Sequence, residues 1–488
     1  MVDAIVLSEL LRPLEHPTGA AWDDVRVLGL SEDSRRIEPG FLFVAIPGTV
    51  LDGAAFADEA VSRGAVAVVA EQELSVPVPS IVVPNVRRAL ALLSARFYGD
   101  PTARLHTIGV TGTNGKTTVC HWAAHLLGTE RVETITTVEN ERRGLRAVTT
   151  PSSPIVQRIA REALDAGKCH LIVEASSIGL AQERLRAIGF DIAAFTNLSH
   201  DHLDLHGSLE AYVEAKLRLF RGLAGDARAV VRVDDPCAEA VLEASTGQPF
   251  TVGRLGQADL TAGDVVLTPD GVSFRLMRQG VSRSVRLPTL SLESVDNALV
   301  AAGIALCAGL DLETVADRLE TVPPVAGRGV VFRNPDGGTA VVDFAHNPAA
   351  LEALLSALRG RFSRVVALFG CPGGSDRSKR PRMGEISGRL ADWTVLTSDN
   401  PKDESPEAIL DEIAVGLRAA EGRWEAQVDR AAAVRRGVEL AGTDGVLLVA
   451  GKGHETYQIV GTEFVPYADE AVLLDLGFER AARPSKGA

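Results

Sequence analysis

Residues 109–118 read Gly109-Val-Thr-Gly-Thr-Asn-Gly-Lys-Thr-Thr118, directly after an apolar run that starts at Leu105 and directly before an amphipathic stretch. Strand, glycine-rich turn, lysine, threonines and helix in that order form a phosphate-binding loop. Backbone N–H groups cradle the phosphates, Lys116 neutralises their charge, and the Thr117 hydroxyl can hold Mg2+. Val119, Trp122, Ala123, Leu126 and Leu127 share one helical face, so that helix aims the positive end of its dipole at the same anion. A standard P-loop has glycine where this chain has Val110; its glycines are Gly109, Gly112 and Gly115.

On either side of this loop, short apolar runs alternate with helical patterns. Before it the runs fall at 41–46, 65–70 and 80–83, and Asp100-Pro101 marks an exit. After it come 171–173 and 192–195, and beyond Gly327 the runs at 339–345, 365–370, 393–397 and 445–450. Such alternation predicts parallel sheets with helices on both faces. The expected architecture is α/β with three segments, 1–104, 105–326 and 327–488. Residues 226–290, richer in short β-like pieces, are expected to form an insertion or a separate small sheet, and the tail 480–488 is expected to be frayed.

Composition narrows the class. A chain of 488 residues is too long for one ordinary domain, and 46% hydrophobic with 23% charged residues describes a soluble globular protein. The net charge of −14 argues against nucleic acid or an anionic membrane as partner. The five cysteines (Cys120, Cys169, Cys237, Cys307, Cys371) are odd in number and widely spaced, which suits a reducing cytoplasm. No N-terminal basic-plus-apolar signal and no apolar run of ~18 residues is present, so a cytosolic enzyme is expected.

In open α/β sheets ligands bind beyond the carboxyl ends of strands. The run at 171–173 ends in Glu174-Ala-Ser-Ser177, and that at 192–195 ends in Thr196-Asn-Leu-Ser-His-Asp-His-Leu-Asp204. A P-loop threonine, the Glu174 carboxylate and the His202 imidazole at adjacent strand ends are placed to share metal ions that bridge ATP phosphates. A zinc reading of His200, His202 and His206 with Asp201 and Asp204 lacks the usual ligand spacing. Lys216 lies on the apolar stripe of Leu209, Tyr212, Val213 and Phe220. Burial would favour a carbamate formed with CO2, a −1 group able to bind Mg2+; snorkelling of the stem to water is the alternative, and the residues alone do not separate the two. Towards the C-terminus, strand ends carry Asp343-Phe-Ala-His-Asn-Pro348, Gly370 to Arg380, Asp399-Asn-Pro-Lys402 and Gly451-Lys-Gly-His-Glu455. In this binding rim Glu455 can anchor an ammonium, and Arg377 or Lys402 a carboxylate.

These residues resemble a family, the Mur ligases, nearest the MurE type of UDP-MurNAc-tripeptide synthetases. The resemblance covers nearly the whole chain. It is carried by Asp33-Ser34-Arg35 and Pro39-Gly40, Thr111 to Thr118, Thr149-Thr-Pro151, Glu174 to Ser177, Asn197 to Asp204, Ala215-Lys216, Asp343 to Pro348, Lys379-Arg-Pro381, Ser398 to Pro401 and Gly451 to Glu455. It implies an N-terminal small α/β domain for the UDP-sugar, a central P-loop ATPase domain and a C-terminal Rossmann-like domain for an incoming amino acid. It implies ATP and Mg2+ as cofactors, with UDP-MurNAc-dipeptide and an amino acid as partners in a cytoplasmic monomer. Gly112, Thr113, Asn114, Gly115, Lys116, Thr117, Thr118, Asn297, Arg328 and Asp343 would handle ATP. Thr117, Glu174, His202 and a carbamylated Lys216 would hold the metal, with Lys116, Glu174, His202 and Lys216 catalytic. Ser34, Thr149, Thr150, Ser177 and Arg184 would contact the UDP-sugar peptide, and Arg377, Asp399, Asn400, Lys402, Gly451 and Glu455 the amino acid.

The chain departs from the family pattern at Ala54, Ser152, Ile178, Ser294 and Val330, and at Lys402, where the diaminopimelate-specific loop ends in arginine. Lysine keeps the positive charge and loses the bidentate fork. The expected activity is addition of a diamino acid, meso-diaminopimelate, to UDP-MurNAc-L-Ala-D-Glu through an acyl phosphate. A paralogue with another amino acid or acceptor is the alternative. A nucleotide-binding switch or scaffold is the competing class, and Glu174, His202, Lys216 and Asp343 argue against it, since a scaffold needs no second metal site.

Overall fold

Three sheets follow from the alternation of apolar strands and amphipathic helices. The computed structural model describes residues 4–14, 22–48, 52–199, 203–268 and 271–481. Near the N-terminus, strands Gly29–Ser31, Phe41–Val44, Ala67–Ala70 and Ser80–Val82 form a four-stranded, fully parallel sheet. Helix Val86–Phe97 covers one face through Val86, Leu90 and Leu93, and Ala57 and Ala60 lie on the other.

The central sheet has nine strands. The P-loop strand His106–Thr111 is third from one edge, paired in parallel with Ile192–Phe195 on one side and His170–Glu174 on the other. Parallel strands buried on both faces read as continuous apolar runs, as these do. Helices Lys116–Leu127 and Glu293–Cys307 pack on one face around Ile108, Val110 and Ile172. Ser153–Asp165 and Leu209–Arg221 pack on the other, around Leu171, Val173 and Phe195.

The stretch 226–290 forms no separate sheet. Arg228–Arg232, Gln248–Gly253 and Leu260–Thr268 add in parallel to the strand Ile192–Phe195, and Gly271–Arg278 and Val281–Leu287 close the edge antiparallel. The reason is hydrophobic continuity: Phe250, Leu260, Val272, Phe274 and Val285 belong to the same core as the P-loop helix.

The third sheet has seven strands. Trp424–Ala426, Trp393–Leu396, Val365–Phe369, Val446–Ala450 and Thr339–Asp343 are parallel, followed by antiparallel Val330–Arg333 and Glu479–Arg480. Arg480 is thus a strand residue paired with Phe332, where a frayed end was expected; residues 482–488 of that tail lie outside the described residues. Among the described residues no helix is long and apolar enough to cross a membrane. The architecture is α/β in three domains.

Candidate active site

The P-loop turns where only glycine fits. Gly112 has φ +149° and Gly115 φ +84°, and a Cβ on either would strike Thr196 Oγ1 or Asn297 Oδ1 respectively. The loop is held from the neighbouring strand end: Thr113 N donates to Asn197 O (2.8 Å) and Asn114 N to Asn197 Oδ1 (2.9 Å). Thr196 Oγ1 donates to Asn114 O at 2.7 Å. Lys116 Nζ folds back onto the loop, donating to the carbonyls of Gly112 (3.1 Å) and Thr113 (2.8 Å).

The Lys216 side chain points inward and is buried, 2% exposed, with Nζ donating to Gly112 O at 2.7 Å and lying 4.3 Å from the Tyr212 ring centroid. The snorkelling alternative therefore fails on geometry. Thr117 Oγ1 donates to Glu174 Oε1 (2.6 Å) and accepts from Arg328 Nη2 (3.1 Å). Glu174 Oε2 accepts from Thr137, through its N–H at 2.6 Å and its hydroxyl at 2.9 Å. His202 lies outside the described residues, as do His200 and Asp201 of the zinc alternative. Among the described residues no group of three or more His, Cys, Asp or Glu is arranged to hold a metal.

The C-terminal domain reaches this cluster directly. Arg328 is half-buried and lies over Phe344, its Cζ 4.4 Å from the ring centroid; desolvation lowers its pKa while the charges of Glu174, Asp343, Glu141 and Glu455 oppose that shift. Burial pushes the Asp343 carboxyl up to about 6, against the pull of Arg328. Asn347 Nδ2 donates to Asn114 Oδ1 at 3.0 Å. Between the two domains lies a cavity of about 980 Å3 lined by Asn114, Gly115, Thr118, Asn297, Arg328 and Asp343, among others. Cavities of this size hold drug-sized ligands.

A second group sits beside Glu174. Thr150 Oγ1 donates to Glu174 O (2.6 Å), and Thr149 Oγ1 lies 3.2 Å from Thr137 Oγ1. Arg184 reaches Thr150 O, and Ser177 Oγ is 3.0 Å from His206 Nε2. Burial lowers the Arg184 pKa, with the charge of Glu32 opposing it. Ser34 Oγ itself donates to Glu59 Oε2 at 3.0 Å.

A third group lies in the C-terminal domain. Asn400 Nδ2 (2.9 Å) and Lys452 Nζ (2.7 Å) both donate to Glu455 Oε2, so the ammonium that Glu455 already anchors is that of Lys452. Asn400 Oδ1 accepts from Lys452 Nζ and from the Ile459 N–H. A Cβ on Gly451 would press on Asp399 Oδ2. Lys402 takes a left-handed φ of +52°, its N–H donating to Ile459 O and its side chain against Gly374. Arg377 stands apart from this group: it is exposed and paired with Glu412.

Sequence reasoning passed over Thr137, Asn140, Glu141, Lys452 and Tyr457 as site residues. The available signal was Thr136-Thr-Val-Glu139, a capping-box pattern that marks the helix Thr137–Arg142. Indeed Thr136 Oγ1 accepts from the Glu139 N–H at 3.2 Å.

Comparison with known proteins completes the picture. Profiles described as "Mur ligase middle domain", "Mur ligase, glutamate ligase domain" and "Mur ligase family, catalytic domain" match residues 110–305, 327–453 and 26–98. The chain is similar to the UDP-N-acetylmuramoyl-L-alanyl-D-glutamate--2,6-diaminopimelate ligase of Geobacillus thermodenitrificans, 40% identical over 91% of this chain and 94% of that one. It is similar to the protein of the same name in Alkalilimnicola ehrlichii, 40% identical over 98% and 99% of the two chains. A solved structure of a ligase with that name superposes with a TM-score of 0.68 at 32% identity, covering 97% of this chain and 98% of the other. Sequence, fold and a phosphate loop braced by a second domain agree, and the chain belongs to the Mur ligase family.

Proposed function

We propose that the chain joins meso-diaminopimelate to the D-Glu carboxylate of UDP-MurNAc-L-Ala-D-Glu at the expense of ATP, in peptidoglycan precursor synthesis. The observation that carries this reading is the hydrogen-bonded chain Arg328–Thr117–Glu174–Thr137, which brings a cation of the C-terminal domain to a threonine of the phosphate loop. Relatives bearing the corresponding name support the choice of substrates.

The site suits a magnesium nucleotide. The buried Thr111 and Ser199 hydroxyls beside the phosphate loop have no hydrogen-bond partner among the described residues. Thr117 and Glu174 offer the hard oxygen donors that Mg2+ prefers, with His202 and carbamylated Lys216 completing the proposed set. Bound there, magnesium would neutralise charge on the phosphates during transfer.

A carboxylate is a poor electrophile. Attack of its oxygen on the γ-phosphorus, with ADP leaving, gives an acyl phosphate; attack of the amine on the acyl carbon then expels phosphate and forms the amide. Lys116 and Arg328 supply positive charge, Thr149, Thr150, Ser177, Arg184 and Ser34 hold the acceptor, and Asp399, Asn400, Lys402, Gly451 and Glu455 hold the amino acid. We assign Asn297, Arg328, Asp343 and Thr118 to the nucleotide, which the interdomain cavity would enclose. Closure of that seam keeps water from the acyl phosphate.

Lys402 favours a second reading, in which a paralogue takes another amino acid. Mass analysis of the product formed from UDP-MurNAc-L-Ala-D-Glu, ATP and a mixed amino-acid pool separates the two. A mass increment of diaminopimelate is expected; a different increment establishes the second reading, and ATP turnover without ligation refutes both.

A further inference from the structure

The short helix Thr137–Arg142 connects groups that belong to three different subsites. At its first residue, Thr137 fixes the Glu174 carboxylate. From its middle, the fully buried Asn140 donates through Nδ2 to the carbonyls of Val148 and Thr149, both at 2.9 Å, and so shapes the loop that bears Thr149 and Thr150. Near its end, Glu141 Oε1 accepts a 3.0 Å hydrogen bond from the hydroxyl of Tyr457. Tyr457 lies two residues beyond Glu455, on the hairpin Tyr457–Val460 and Glu463–Pro466 whose neighbour is Lys402.

This contact crosses from the C-terminal to the central domain, and side chains from both sides enclose it. Arg146 lies over the rings of Tyr457 and Phe464, 5.7 and 5.2 Å from their centroids, and those rings pack edge to face at 4.9 Å. In the same loop, Ala147 takes a left-handed φ of +55°. Burial, then the charges of Glu455 and Glu141, raise the Tyr457 pKa, so the hydroxyl remains a donor at physiological pH.

We propose that the Tyr457 hydroxyl is a positioning group that sets the acceptor loop in register with the amine site, acting through Glu141 and the helix Thr137–Arg142. The inference rests on the ligase reading above. Its physical basis is alignment: the amine must meet the acyl carbon within a narrow range of approach, and displacement by about an ångström costs orders of magnitude in rate. An acyl phosphate waiting for a misplaced amine is lost to water.

Two readouts test it on the full chain. Tyr457→Phe removes one oxygen and keeps the ring packing; Glu141→Gln removes the charged acceptor. In hydrogen–deuterium exchange, both variants should exchange the amides of 137–150 several-fold faster than wild type, with no further gain in the double variant. In turnover with acceptor, ATP and amino acid, both should lower kcat for amide formation about tenfold, the order expected for one hydrogen bond to a charged group. They should leave the KM for ATP unchanged and raise the ratio of phosphate released to amide formed above one. A merely structural contact would lower both rates together and leave that ratio at one. Unchanged exchange at 137–150 in both variants, or an unchanged ratio, overturns the proposal. Absence of ligation by the wild-type chain overturns the ligase reading instead, and the exchange measurement still decides the coupling.

Discussion

Lys216 shows how a single side chain ties packing to chemistry. The residue is 2% exposed, with Nζ 2.7 Å from the Gly112 carbonyl oxygen and 4.3 Å from the Tyr212 ring centroid. The carbamate proposed above would form when the amine nitrogen bonds to the carbon of CO2 and gives up one proton. Such a carbamate would retain one N–H within reach of Gly112 O and present two oxygens that share one negative charge beside the phosphate loop. Lys216→Ala should therefore lower ligase turnover at least a hundredfold while the chain stays folded, and acetate or formate should restore part of it by standing in for the lost carboxylate. Full activity in the variant would exclude the carbamate.

At the scale of elements, helix Lys379–Leu390 is fastened to Pro406–Ala419 by one fully buried cation. The Arg380 side chain has 0% exposure, while its partners Glu404 (2.8 Å) and Glu412 (2.9 Å) remain 27% and 30% exposed. That inequality sets the direction of a test. Removing Arg380 leaves carboxylates that water can still reach, whereas removing both acceptors strands a guanidinium where water cannot follow. Glu404→Gln with Glu412→Gln should thus cost about 3–5 kcal/mol in urea unfolding, and Arg380→Met clearly less. The reverse order would show that the pair acts by charge attraction alone. Arg380 was legible in sequence only as part of Lys379-Arg-Pro381, because nothing in a helical pattern says that two adjacent basic residues, Lys379 and Arg380, are both buried. The strands and the P-loop helix were legible, since a run such as 446–450 is apolar at every position and a parallel strand needs that. The pairing of 226–290 with the central sheet was not: strand composition carries no record of which edge a strand joins. Glu141 and Tyr457 escaped for the same reason, being 316 residues apart in the chain.

The whole molecule depends on how the central and C-terminal domains meet, and His454 senses that meeting. Its side chain is 3% exposed, packed 5.1 Å from the Phe344 ring centroid, and neither ring nitrogen has a hydrogen-bond partner among the described residues. The carboxylate of Glu141 approaches Nε2 only to 3.7 Å. Burial first, then the charges of Arg328 and Lys452 and the nearby His121, hold its pKa down at about 3. In the unfolded or separated state the imidazole recovers an ordinary value near 6.5. Between those two values the open state binds the proton and the closed state does not, so stability rises with pH there. The contribution of neutral His454 is fully present above about pH 6.5 and is lost progressively as the pH falls towards 3. His454→Gln removes the titration and keeps a neutral polar side chain of similar reach. The first thermal transition of wild type should therefore drop relative to that of His454→Gln as the pH is lowered from about 7 to 4, by no more than about 1.4 kcal/mol per pH unit. A constant offset between the two across that range would mean that the imidazole is protonated within the closed seam, and that Glu141 rather than desolvation governs it.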